Sequence, residues 1–223
     1  MENENHTETE KLMAMYRSML DQFGPRGWWP GKTRFEICTG AILTQNTAWR
    51  NVRKAINNLK SARALNIKSV HDMETSQLAE LIVPSGYYNI KAKRLKYFVE
   101  FVYSESGGSL TRLFSLPVME LREKLLSVNG IGKETADSII LYAAKKPIFV
   151  VDAYTRRIGS RHGLFPEDSD YDDMRLYFTA RLPEDTALFN EYHALIVGVG
   201  NAYCGRKPDC ENCPLAPFLP DLD

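Results

Sequence analysis

Apolar residues recur along most of the chain at the three-and-four spacing of helices with one buried face. Leu12, Tyr16, Met19, Leu20 and Phe23 share such a face, and Gly24-Pro25 stops the run. The next segment, Arg26 to Gly31, sets two adjacent tryptophans between Gly and Pro breakers and is predicted to be a loop. The same spacing predicts further helices near 33–45, 48–60, 75–83, 89–104, 117–127, 133–145, 153–162, 171–181 and 186–202, joined by short connections containing Gly, Pro or Ser. Alternating strand patterns are missing. Ile148-Phe149-Val150-Val151 is short, has no partner of similar character, and reads as a buried connection into the next helix. The expected class is all-α, without a solenoid repeat.

Composition narrows the function classes. With 223 residues, 44% hydrophobic and 25% charged, the chain has the balance of a globular protein and enough length for a core without disulfide staples. Its 28 basic and 28 acidic residues cancel, so a polyanion must be met by a local patch. The densest basic run is Lys91, Lys93, Arg94 and Lys96, either a solvated helix face or a grip for phosphates; offsetting acids lie at Glu2, Glu4, Glu8, Glu10 and between Glu167 and Asp173. No apolar stretch approaches the ~20 residues that cross a bilayer. The opening residues are acidic where a secretory signal would be basic and then apolar, so the expected location is cytoplasmic and no membrane partner is expected. Three of the four cysteines, Cys204, Cys210 and Cys213, crowd near the end, which in a reducing compartment suggests a metal before a disulfide. Cys38 sits within an apolar helical pattern and reads as core.

Two motifs carry candidate chemistry. Gly130-Ile131-Gly132 breaks a helical pattern that resumes at Lys133-Glu134. It is either a plain helix–helix turn or a turn whose outward N–H groups, at a new helix start, receive a phosphate. Further on, Asp152 follows four apolar residues and opens a helix. It is a good N-cap, and its apolar approach implies burial that raises its pKa or demands a partner, which also makes it a catalytic candidate.

The hairpin and the aspartate, in this order, resemble the helix-hairpin-helix, Gly/Pro-rich loop, Asp arrangement of the endonuclease III superfamily of DNA glycosylases. Phe35 to Thr47, Pro84 to Leu95 with its Gly86-Tyr87-Tyr88-Asn89-Ile90-Lys91-Ala92 segment, and the three clustered cysteines are similar to other parts of that family. Within it the likeness is nearest to the 3-methyladenine DNA glycosylase III group, carried by Trp28-Trp29-Pro30, Leu43 to Thr47, Ser85 to Leu95 and Gly130 to Glu134. The resemblance implies an all-α fold of two lobes, a helical barrel over 26–146 and a second domain of 1–25 plus 147–223 with a C-terminal cysteine loop. It places double-stranded DNA containing a damaged base in a cleft between the lobes of a monomer, and implies hydrolysis of the N-glycosidic bond of alkylated purines such as 3-methyladenine.

Residue roles follow from the same resemblance. Lyase members carry a Schiff-base lysine where this chain has Glu134; a carboxylate cannot condense with the sugar aldehyde, and Lys133 is turned about 100° away on a helix, which implies a monofunctional enzyme. Asp152 is then the group that stabilises the sugar cation and orients the attacking water. Trp28, Trp29 and Pro30, with Glu134, are expected to form the base pocket, where an indole face gains ~0.5 to 2 kcal/mol over a cationic base; the alternative is that one tryptophan packs under the loop. Gln45 and Tyr87 are assigned to filling the hole left by the flipped base, the alternatives being a cap and a surface aromatic. Lys91, Lys93, Gly130, Gly132 and Lys133 are expected to meet DNA. The family's fourth cysteine is replaced by Leu219, leaving three choices: a 4Fe–4S cluster on three cysteines, an empty loop, or zinc. The competing functions are an endonuclease III-like glycosylase and AP lyase, a mismatch-adenine glycosylase, for which the chain has no room for an extra recognition domain, and a non-catalytic helix-hairpin-helix DNA-binding protein.

Overall fold

The computed structural model describes residues 2–220, with side chains from Thr7 onward. Met1 and 221–223, at the ends of the second expected domain, lie outside the described residues, as do the side chains of Glu2 and Glu4. All regular structure among the described residues is helical: α1 (Glu2–Phe23), α2 (Arg34–Leu43), α3 (Trp49–Ser61), α4 (Ile67–Asp72), α5 (Thr75–Leu81), α6 (Tyr88–Ser106), α7 (Leu110–Leu113), α8 (Val118–Leu126), α9 (Lys133–Ser138), α10 (Ala153–Arg161), α11 (Tyr171–Thr179) and α12 (Thr186–Ala202). The chain divides into two compact units, Trp29–Lys146 and Met1–Trp28 with Pro147–Asp223.

In the unit from Trp29 to Lys146, α2 is buried on every side from Phe35 to Leu43, mostly by apolar residues, with Glu36 paired to Lys60. Thr33 caps it by accepting from the Glu36 N–H. Around it α3 buries one stripe, Val52, Ala55, Ile56 and Leu59, and α6 buries Leu95, Phe98, Val99 and Val102. Two helices escape the sequence pattern. The six residues of α4 and the four of α7 are too short to show a period, yet each has a side-chain cap, Asn66 on the Ser69 N–H and Ser109 on the Arg112 N–H. Asp137 of α9 is fully buried, and Arg122 of α8 donates to both its carboxylate oxygens, at 2.7 and 3.3 Å. Beyond Ser138 the helix continues through a π-type turn, Ile139–Ala143, all of it buried.

The second unit is built on an aromatic core. Phe149 stacks on Phe178 with centroids 4.1 Å apart and meets Phe189 and Tyr192 edge-on. Tyr192 also ties α12 to α1 by donating its hydroxyl to the Leu12 carbonyl. Ile148 to Val151 runs through this unit buried and without strand pairing, the apolar lead-in that the sequence implies. α10 and α12 lie against each other closely enough that a Cβ at Gly200 would fall 2.2 Å from the Tyr154 ring. Around that contact Tyr154 donates to Asn201, and Arg157 donates to the carbonyl oxygens of Cys204 and Gly200.

Candidate active site

Asp152 opens α10. Its Oδ1 accepts from the Thr155 N–H at 2.8 Å and from the Thr155 hydroxyl at 3.0 Å, so the cap reading of the sequence describes this oxygen. Its Oδ2 has a different setting: the neighbour recorded for it is Nε2 of His193, 3.5 Å away on α12. Burial alone would push the carboxyl up, but the His193 charge and hydrogen bond and the two Thr155 bonds outweigh it and hold it below the usual carboxylate value. The group is thus an enclosed carboxylate kept ionised, with one oxygen fixed and one facing an imidazole. His193, 7% exposed at the side chain, is a site residue that sequence reasoning did not place. Forty-one residues separate the two in the chain, and only the packing of α10 on α12 joins them.

The hairpin lies between α8 and α9. Gly130 has φ +85, and a Cβ there would sit 2.3 Å from the Arg94 side chain, so both conformation and space require glycine. Ile131 turns inward and is buried, while Gly132 is exposed with open space where a Cβ would project. In the first turn of α9, Lys133 is half-buried and Glu134 exposed.

Gln45 is tied down at both ends of its amide. Its nitrogen donates to the Gly130 carbonyl at 3.1 Å and to the Thr135 hydroxyl at 2.9 Å, and its oxygen accepts from Arg94. A glutamine projecting to fill a gap in a duplex is therefore not its placement here; it links the turn after α2 to the hairpin and holds Arg94 over Gly130. Tyr87 is the exposed residue of the pair, 70% accessible with φ +46, a conformation few non-glycine residues adopt, directly after Gly86 at φ +67.

The basic run requires correction. Lys91 is 1% exposed and donates to the carbonyls of Leu43 at 2.9 Å and Ser85 at 2.7 Å, which rules it out as a surface phosphate contact in this arrangement. Burial, then the neighbouring Arg94 charge, pushes its ammonium down to about 8. Lys96 donates to the carbonyls of Val70, His71 and Met73 at the end of α4, which leaves Lys93 as the exposed cation of the run.

Of the expected pocket residues, Trp28 is half-buried and Pro30 exposed. Trp29 belongs to an aromatic cluster that the sequence did not reveal: Trp49 meets it edge-on at 5.0 Å and Tyr142, in the π-type turn, at 5.2 Å. Trp29 also lies flat against Gly40, where a Cβ would come within 3.1 Å of the indole.

The cysteine loop does not fit a metal cluster as placed. Cys204 is buried with its sulfur accepting from Arg161, Cys210 is exposed, and Cys213 is half-buried with a thiol raised chiefly by burial. Among the described residues no group of three or more His, Cys, Asp or Glu side chains is arranged to hold a metal ion. Leu219, at the fourth position, is 41% exposed.

A helical hairpin with an obligatory glycine, followed by a largely enclosed aspartate at the head of the next helix, defines a class of DNA repair proteins. Residues 39–184 match the HhH-GPD superfamily of base excision DNA repair proteins. The chain belongs to that superfamily and is one of its DNA repair glycosylases. A DNA repair glycosylase of Methanocaldococcus jannaschii is 45% identical over 210 residues, covering 94% of this chain and 96% of the relative. Among solved structures, the H. pylori 3-methyladenine DNA glycosylase bound to 1,N6-ethenoadenine is 32% identical with a TM-score of 0.74, covering 86% of this chain and 96% of that one. A non-covalent endonuclease III–DNA complex shares the fold, with a TM-score of 0.80 over 95% of this chain and 94% of that one at 18% identity.

Proposed function

We propose that the protein is a monofunctional glycosylase that hydrolyses the N-glycosidic bond of alkylated purines, 3-methyladenine among them, in double-stranded DNA, and that it works as a cytoplasmic monomer. The observation that carries this reading is Asp152, an enclosed and ionised carboxylate with one oxygen fixed by Thr155 and the other open toward His193. When the bond from the sugar to the base breaks, its electron pair leaves with the base and positive charge builds on the sugar. A fixed carboxylate stabilises that charge without reorganising. A carboxyl held below its usual pKa is a weak base, so charge stabilisation outweighs proton abstraction as its contribution. A cationic alkylated base leaves readily as the neutral base, and water attacks the sugar cation and gives up its proton to solvent.

Glu134 stands where lyase relatives carry a Schiff-base lysine, and no amine takes its place on that face of α9. The name of the 32%-identical H. pylori neighbour supports an alkylated purine as substrate. So does the clustering of Trp28, Trp29 and Trp49, indole being the side chain that attracts a cationic ring most strongly. Tyr87 is the wedge that enters the duplex, and Lys93, Lys133 and the open backbone at Gly132 meet phosphates. The cysteine loop takes no part in any step.

Product analysis on a duplex carrying one alkylated purine tests the reading. Free base should appear with an intact strand that breaks only on alkaline treatment. Direct strand cleavage, or a borohydride-trapped protein–DNA adduct, would identify a lyase instead.

A further inference from the structure

α12 presents one face to α10 in step along both helices. Asn201 meets Tyr154, Gly200 lies against the Tyr154 ring and, with Cys204, accepts from Arg157, and Arg161 donates to the Cys204 sulfur and the Gly205 carbonyl. His193 lies on the same face, two turns earlier, with its Nε2 3.5 Å from Oδ2 of Asp152. A buried imidazole beside the one carboxylate oxygen not engaged by the helix cap is more than packing requires. An isolated buried imidazole is also costly unless a polar partner compensates it.

We propose that His193 is a positioning residue for the reaction: through Nε2 it keeps Oδ2 of the Asp152 carboxylate aimed for the sugar cation. The division of labour is between the two oxygens. Thr155 anchors Oδ1 from within α10, and His193 steadies Oδ2 from α12, so the carboxylate plane is fixed from both sides. The 3.5 Å separation is longer than a strong hydrogen bond, which leaves Oδ2 open to a second contact rather than saturated. The reaching atom is borrowed from a helix forty-one residues away, and this ties the reactive geometry to the core around Tyr192.

This inference rests on the reading of Asp152 as the catalytic carboxylate, and the experiment separates the two. His193→Ala, His193→Gln and Asp152→Asn are compared with the natural protein in single-turnover excision from a duplex with one alkylated purine. Affinity for a duplex carrying a tetrahydrofuran abasic analogue, and the thermal midpoint, are measured alongside. Misaligning a reactive group costs on the order of 10²-fold in rate. His193→Ala should approach that loss while abasic-duplex affinity stays within about twofold, and His193→Gln, whose amide N–H can still reach Oδ2, should recover part of the rate. A His193→Ala rate within about twofold of natural overturns the inference. So does a loss of rate matched by an equal loss of affinity and not relieved by Gln, the signature of packing; should the Ala variant fail to fold, His193→Gln decides by the same split. If instead Asp152→Asn remains active, the catalytic reading itself fails, whatever the histidine variants do.

Discussion

Lys91 and Asp152 are both charged groups taken out of water, one in each unit, and they are held in opposite ways. The Lys91 ammonium is closed in by two carbonyl oxygens, from the end of α2 and from Ser85, and has no exposed surface to offer. Asp152 has one oxygen engaged by its own helix and the other facing a histidine at a distance that leaves it open. Arg122–Asp137 resembles Lys91 in this respect, with both carboxylate oxygens taken up by the guanidinium. Closed charges fix loops and helices; an open one is available to act on a substrate. The lesson is that burial alone does not mark a catalytic group, and that an enclosed charge with one oxygen at the edge of hydrogen-bond reach of its partner does.

If closed charges are scaffold, removing one should damage stability, and the largest effect belongs to the ion pair. Asp137→Ala removes the carboxylate to which the buried Arg122 guanidinium donates twice and should cost about 3–5 kcal/mol, read as a lower urea midpoint. A cost near zero would break the comparison at its firmest point.

Lys91→Met comes next. It leaves the Leu43 and Ser85 carbonyls without their donor, for a cost of about 1–3 kcal/mol. The same residue gives a pH signature. Its folded pKa of about 8 lies below the ordinary lysine value near 10.4, so between these limits the unfolded chain binds more protons than the folded one. Stability from this group should therefore rise with pH from about 8 to 10.4, the neutral amine still having two N–H donors for the two carbonyls. Urea midpoints across that range should show the rise in the natural protein and lose it in Lys91→Met. The smallest effect on stability should be that of Asp152→Asn, under about 1 kcal/mol, because the amide oxygen still accepts from Thr155.

The parts of this arrangement that were legible in the sequence are those set by local rules. Helical period and caps give the long helices, and an aspartate after an apolar run gives the cap at Asp152. The glycines of the hairpin announce its turn. Lys91 was misread because a lysine among lysines looks solvated; what buries it is the meeting of two carbonyls from segments 43 and 85, which no periodicity encodes. The tie of Gln45 to the hairpin, in place of the gap-filling role that the resemblance implies, is equally hidden from local rules, since its partners Gly130 and Thr135 lie 85 and 90 residues on. Trp49, at the start of a helix, lacked the breakers that drew attention to Trp28 and Trp29, and His193 became a site residue only through the α10–α12 contact.

The central claim is that Asp152 stabilises charge in the reaction and contributes little to folding. The direct measurement is single-turnover base release by Asp152→Asn, with its affinity for an abasic-analogue duplex as the control for DNA binding. The account predicts base release reduced by at least about 10³-fold, comparable to losing a main electrostatic stabiliser, with affinity and thermal midpoint nearly unchanged. Base release within about tenfold of the natural protein would contradict it.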